Sequence, residues 1–431
     1  MQGKALPGFR DFYPDDLALR NHIFATWRSI AGRYGFEEYD GPPLEPLELY
    51  TQKSGAEIVG QLYAFRDRGD RDVALRPEMT PTLARMVGAR AQALKKPIRW
   101  FSIPQLFRYE RQQRGRLREH FQLNMDLIGE PGPLADAELI AAAIDIMRAF
   151  GFGPRDVRVR ISDRRVLRAL LLADGLTEPQ LGAGYTAIDR AERVPREVLA
   201  AGLSREGLSG GAIEAVFRIA AVRGREALDR ALGTGGEAEQ SADGLLRACE
   251  ALGAMGLGEF VDVDLSIVRG LAYYTGVVFE LFDAGGSLRA ICGGGRYDGL
   301  LKALSGVDLP ALGFGMGDVV LTELLNDRGK VPSGRGGLDA FLVAVGAPDE
   351  QPMLKLAHDL RDHGLAVEYG LRRHAVRKQF ELASARGSRY VVVVGERERA
   401  GDAVLVRNLV NGQEQAVPVD QLVAFLRRPN G

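Results

Sequence analysis

The densest chemistry in this chain sits in one short segment. Residues 107–118 read Phe-Arg-Tyr-Glu-Arg-Gln-Gln-Arg-Gly-Arg-Leu-Arg, with five arginines in the eleven positions from Arg108 to Arg118. A planar guanidinium donates two parallel hydrogen bonds to a phosphate, so such a run suits a nucleotide or a sugar-phosphate chain. The flanking stretches, WFSIPQLFRYE and HFQLNMDLIG, read as strands. On a strand alternate residues face one side, so Arg108 and Glu110 are expected to share a face. Taken alone, the run fits a solvated arginine-rich hairpin just as well. Three further segments hold polar groups beside aromatic ones: LRPEMTPTLARM with Glu78 and Thr80, IVRGLAYYTGVVFE with Arg269, Tyr273 and Tyr274, and GGGRYDGL with Tyr297. Tyrosines in a strand also serve as packing, and Glu78 after Pro77 also fits an acid at a helix start. The five histidines, His22, His120, His358, His363 and His374, show no ligand-like spacing and read as structural or solvated. Cys249 and Cys292 form no metal-type pair, so no zinc site is expected.

These residues need a scaffold. Residues 15–35 carry apolar side chains at near-helical spacing and stop at Gly35, and residues 134–151 are a second helix. Residues 36–46 run extended into prolines, and 60–76 read as two short strands around a polar turn. VRVRIS at 157–162 is a strand. From about 163 to 257 the chain turns rich in Ala, Leu, Gly, Arg and Glu, with helix-like periodicity, and reads as a helical insertion. Strand chemistry returns with FVDVDLSIVRG and YYTGVVFELF. PSGRGG at 332–337 is a polar linker. Beyond it strands and helices alternate around a YVVVVGE run, and Asn411-Gly412 marks a hairpin, which predicts a compact α/β domain over 338–431.

Bulk properties narrow the class. A chain of 431 residues with 46% apolar and 26% charged residues is an ordinary globular composition with room for two or three domains. A net charge of −1 argues against a protein that coats nucleic acid non-specifically, and leaves local basic patches open. Two distant cysteines fit a reducing cytoplasm. The acidic start MQGKALPGFRDFYPDDL is no signal peptide, and no stretch is long and apolar enough for a membrane span.

In order along the chain, these segments resemble the histidyl branch of the class II aminoacyl-tRNA synthetases. Arg-x-Glu followed by a loop and a strand is similar to the second class II signature, and FRYERQQRGRLREHFQLNMDLIG resembles its histidyl form. LRPEMTPTLARM resembles the amino-acid-binding segment, while IVRGLAYYTGVVFE and GGGRYDGL resemble the two histidine-specific motifs. The likeness spans roughly residues 5–425 and is weakest in the insertion. It implies an α/β fold with an antiparallel class II sheet flanked by helices over 1–331, interrupted by the insertion, and an anticodon-binding α/β domain over 338–431.

The resemblance also implies roles. Glu78, Thr80 and Gln122 would face the ammonium end of L-histidine, and Asp126, Tyr273, Tyr274 and Tyr297 would hold the imidazole end. Asp126 stands where the family usually has a glutamate, one methylene longer. Arg108 and Arg269 would be catalytic at the α-phosphate of ATP, with Glu110 and Arg116 also on the nucleotide and magnesium arriving with it. Gln112, Gln113 and Arg116 are placed for the acceptor end of tRNA(His). In the last domain Arg372, Arg373, His374, Arg377 and Lys378 cluster at a helix start, where Arg377 and Lys378 suit RNA phosphates. The segment at 36–46 would be the interface strand of a homodimer. One departure stands out. The run Gly313-Phe314-Gly315-Met316-Gly317-Asp318-Val319-Val320 has a valine where the third class II motif ends in arginine. Arg289 and Arg296 are the candidate replacements. The same loss favours an alternative, the non-catalytic, synthetase-like regulatory subunit of ATP phosphoribosyltransferase. The C-terminal domain and Arg269 speak against it.

Overall fold

The computed structural model describes residues 3–51, 60–110, 115–269, 273–286, 288–331 and 337–427. The chain divides into two compact units, Met1–Pro332 and Ser333–Gly431.

The first unit is built on a sheet whose main path has eight strands: β1 (Glu37–Glu38), β2 (Ile98–Ser102), β3 (Glu119–Ile128), β4 (Val157–Asp163), β5 (Val261–Val263), β6 (Val277–Asp283), β7 (Cys292–Arg296) and β8 (Ala311–Gly317). Their spatial order is β1-β2-β3-β8-β7-β6-β4-β5, and Gln105–Phe107 pairs alongside β3. Only the outer pairs β1–β2 and β4–β5 are parallel along this path. The others are antiparallel, as expected for a sheet that carries side chains of opposite character on its two faces.

Cross-strand register makes that contrast explicit. One row reads Phe101, Met125, Phe314, Gly294, Phe279, Ile161, Val263. Its six apolar side chains are buried in the main core. The neighbouring row, on the opposite face, reads Ser102, Asn124, Gly315, Gly293, Glu280, Arg160, Asp262. Period-two alternation thus produces an oily back and a polar, glycine-floored front.

The back is covered by helices whose patterns match it. In α1 (Pro14–Arg33), Ile23, Trp27 and Ile30 recur at helical spacing and are buried. In α2 (Pro133–Ala149) nearly every residue from Ala135 to Met147 is buried. That fits a helix apolar on most of its circumference and sandwiched in the core. The chain then leaves β4 through Asp163, whose side chain caps α3 (Arg164–Ala173) by accepting from the Arg165 amide at 2.8 Å. α3 opens the helical insertion, which continues through α4 (Leu181–Arg190) and ends with α5 (Glu237–Ala254). Apolar residues of all three join the main core. After β8 the chain enters α6 (Asp318–Asp327).

The second unit has its own core around a five-stranded sheet, with β9 (Ala340–Ala344), β10 (Val367–Tyr369), β11 (Tyr390–Val394), β12 (Ala403–Asn408) and β13 (Glu414–Pro418) in the order β10-β9-β11-β12-β13. The first three strands are parallel, and the Val391–Val393 run is central and buried on both faces. The last two add antiparallel, with Gly412 at φ 75° in their connection. Among the described residues, no helix is long and apolar enough to cross a membrane.

Candidate active site

On the polar face of the first unit's sheet lies a cleft of about 1070 Å³. Arg108, Glu110, Arg116 and Gln122 reach it from the β3 side, and Arg269 with Glu280 from the β6 side. Gly293, Gly315 and Gly317 form part of its floor. Gly293 and Gly315, with the neighbouring Gly313, are required by space. A Cβ at Gly293 would overlap the Arg269 guanidinium, one at Gly315 the Gln122 amide, and one at Gly313 the Asp126 carboxylate. The side chains that carry charge therefore lie flat on bare backbone.

Arg269 is held with unusual firmness. Its backbone sits in the left-handed region at φ 62°, a strained setting for a residue with a side chain. Its guanidinium pairs with Glu280 at 2.5 Å and lies 5.8 Å from the centre of the Tyr274 ring. Burial works against its charge, but Tyr274 and Glu280 outweigh burial and the net pKa direction is upward. Among the described residues its Nε is buried and finds no acceptor, which leaves a donor for an anion in the cleft. Arg108 donates from Nε to the Pro77 carbonyl at 2.8 Å. Glu110 forms an ion pair with Arg116.

Beside this cleft is an aromatic cluster, which meets it where the Tyr274 ring faces Arg269. The Tyr273 and Tyr274 rings lie 5.0 Å apart, Tyr273 and Tyr297 5.8 Å, and Tyr39 and Trp100 5.3 Å. Asp126 is inside it, 4% exposed, accepting a hydrogen bond from the Tyr297 hydroxyl. Burial pushes the Asp126 carboxyl up to about 7, with the Tyr297 bond acting in the opposite direction. Tyr273 is also raised, first by burial and then by the Glu78 charge, while a bond with Thr80 acts the other way. Glu78, Thr80 and Asp126 thus each interact with a tyrosine of this aromatic cluster. Gln122 donates to Asn124 at 2.8 Å, next to Gly315.

Comparison with known proteins decides what this arrangement belongs to. A model of the histidyl-tRNA synthetase family matches residues 8–318, and an anticodon-binding-domain model matches residues 339–428. A histidine–tRNA ligase of Opitutus terrae is 47% identical over 98% of this chain and 98% of its own length. The chain belongs to the histidyl-tRNA synthetase family. A histidine–tRNA ligase of Thermoplasma volcanium is 38% identical over 99% of both chains. The fold matches a histidyl-tRNA synthetase structure from Nostoc at a TM-score of 0.85, with 24% identity and 99% of each chain covered. It also matches a structure from Bacillus halodurans described as an ATP phosphoribosyltransferase regulatory subunit/histidyl-tRNA synthetase, at a TM-score of 0.76, 23% identity, 92% of this chain and 99% of that one.

Within this synthetase fold several expectations from sequence need correction. Arg108 and Glu110 do not alternate on a strand, because the strand stops at Phe107 and the Glu110 amide donates back to the Arg108 carbonyl at 2.8 Å, a tight turn. Both still line the cleft. Arg296 is no replacement for a missing cleft arginine. It is 3% exposed and pairs with Asp136 of α2 at 2.6 Å, on the apolar side of the sheet. Arg289 does line the cleft, as does Val320. His120 is not simply solvated. It lines the cleft, and burial followed by the charge of Arg108 pushes its pKa down to about 3, so it is neutral. Gln112 and Gln113 lie outside the described residues. In the second unit Arg377 and Lys378 stand on the helix Val376–Ala385, both paired with Glu381 at 3.4 and 3.1 Å. Glu280 and the insertion's Arg190 and Arg193 also line the cleft, and Tyr39 and Trp100 pack with the tyrosines, though no local pattern in the sequence singles these residues out. The alternate glycines at 293 and 295 and at 313, 315 and 317 were the readable signal for the floor.

Proposed function

We propose that this chain activates L-histidine with ATP and transfers it to the 3′ end of tRNA(His). The observation that carries the reading is that Arg108 and Arg269, from segments far apart in sequence, line one glycine-floored cleft next to an aromatic cluster that holds the buried Asp126 carboxylate.

In the first step a carboxylate oxygen of histidine attacks the α-phosphorus and pyrophosphate leaves with the electrons of the broken P–O bond. A carboxylate is ionised at neutral pH, so no base is needed. Negative charge grows on the phosphoryl oxygens, and fixed guanidiniums stabilise it without reorganising. Arg269, clamped by Glu280 and Tyr274, is suited to that task, with Arg108 across from it. Glu78, Thr80 and Gln122 receive the ammonium end. Tyr297 occupies one oxygen of Asp126 and leaves the other for an imidazole N–H, with Tyr273 and Tyr274 walling the ring. Glu110 and Arg116 contact the nucleotide. Magnesium enters with ATP on its phosphates. Among the described residues no group of three or more His, Cys, Asp or Glu side chains is placed to hold a metal by itself. In the second step a terminal ribose hydroxyl attacks the acyl carbon of the adenylate and AMP leaves. Gln112, Gln113 and Arg116 serve the acceptor end, and Arg377 and Lys378 of the second unit serve the anticodon. The protein acts in the cytoplasm as a homodimer.

The test is histidine-dependent exchange of labelled pyrophosphate into ATP by the full chain. Exchange with histidine and not with other amino acids is expected. Histidine binding without any exchange would instead support the regulatory-subunit reading that Val320 brings to mind.

A further inference from the structure

Besides Arg108 and Arg269, the cleft gathers further basic residues from three separate segments. Arg116 comes from the chain just before β3, Arg289 from the chain between β6 and β7, and Arg193 from the helical insertion just past α4. All three line the same cleft, and among the described residues seven arginines and five carboxylates line it. Guanidiniums gathered in this way repel one another. After burial, the Arg116 and Arg193 charges are what depress the Arg289 pKa, while Glu110 opposes them. Local acids offset part of this charge. Glu110 is paired with Arg116, and Asp189 accepts from Arg193 at 3.2 Å. Gly315, Gly317, Val319 and Val320 also line the cleft and bring no cation, and Asp318, at the start of α6, is tied to Arg10 at 2.9 Å.

We infer that Arg289 and the insertion's Arg193, together with Arg116, bind the β- and γ-phosphates of ATP and the leaving pyrophosphate, so that the helical insertion forms part of the nucleotide site. The inference rests on reading the cleft as the adenylation site, and adds which residues take the charge that a side chain at position 320 cannot. It also gives the insertion a role in the first reaction step. Pyrophosphate departs with more negative charge than it carried as an ester, so cations there favour its departure as well as ATP binding.

The experiment compares binding of AMP with binding of the β,γ-imido analogue of ATP, by calorimetry on the full-length wild type and on Arg193→Ala/Arg289→Ala. Both side chains are on the surface side of the cleft, and a thermal melt checks that the variant is folded. The variant is expected to lose roughly tenfold or more in affinity for the ATP analogue, the scale of one or two charge-assisted hydrogen bonds, with AMP and histidine affinities unchanged within about twofold. Arg193→Lys/Arg289→Lys should recover most of the loss. Equal weakening of AMP and the analogue, or no weakening of either, overturns the inference. So does a variant with normal analogue binding that transfers histidine poorly from preformed adenylate to RNA, since the arginines would then face RNA phosphates. Failure of the underlying reading is seen separately, as a wild type that binds the analogue but shows no histidine-dependent exchange.

Discussion

Replacing Asp126 with asparagine separates the cost of the imidazole pocket from its use. The Asp126 carboxyl is lifted from 3.8 to about 7 because it is buried, and at 1.36 kcal/mol per pH unit this corresponds to about 4 kcal/mol. The sign follows from where the proton sits. Between pH 4 and 7 the folded chain keeps a proton on Asp126 that the unfolded chain releases. Unfolding therefore sheds a proton, and the stability contributed by the protonated form, complete below 3.8, is lost as pH rises towards 7. Asparagine has no such proton and still accepts from Tyr297. Relative to Asp126→Asn, the wild type should lose about 2–3 kcal/mol between pH 5 and pH 7, and little more above that. The chain's two tryptophans, Trp27 and Trp100, are both in the first unit. Their fluorescence during urea unfolding thus follows that unit alone, which matters because two units need not unfold together. In the same variant the KM for histidine at pH 7.5 should rise roughly tenfold or more, because a neutral amide replaces a charged acceptor. Parallel stability profiles for the two proteins between pH 5 and 7 would refute the account of the pocket as a buried, proton-retaining carboxylate.

Other consequences follow from the same geometry. Arg269→Ala should lower exchange roughly 10²-fold or more with histidine affinity little changed; equal exchange removes Arg269 from the chemistry. Gly293→Ala and Gly294→Ala should fail in different ways. A Cβ at 293 meets only the flexible end of Arg269, so activity falls while the melting temperature holds. A Cβ at 294 meets the backbone of Gly313 and Phe314, so the melting temperature falls first. Nitrogen-15 spectra of the histidine rings should show His120 neutral throughout pH 5–8, since its pKa is about 3, and a titration inside that window contradicts its placement among Arg108, Arg10 and Arg116. Deleting residues 332–431 should spare adenylate formation and weaken RNA charging; loss of both together would make the second unit a folding element of the first.

What the sequence discloses here depends on whether a residue lies on a regular element. The strands flanking the arginine loop, the YVVVV strand and the motif order were legible because alternation and helical spacing are local properties. Register was legible too, had it been used. Gly293 and Gly295 face the cleft, so Cys292, Gly294 and Arg296 must face the other way, and parity alone sends Arg296 to the apolar side where Asp136 meets it. The arginine most reasonable by type was excluded by a count of one. Arg289 and Arg193 differ in kind. They stand on irregular chain outside the helices and strands, so no period assigns them a direction, and their meeting with Arg116 depends on how the insertion packs against the sheet. His120 stands on β3, so its direction is set by parity, but its neutrality is a property of neighbours 12 and 110 positions away as much as of those beside it. A third motif that ends in valine then looks like lost function when read along the chain. In the cleft it is one uncharged position in a lining that, among the described residues, holds seven arginines. Whether charge sits on that particular strand-to-helix turn matters less to a polyphosphate than whether the cleft supplies it within reach, and the insertion is the element with the freedom to do so.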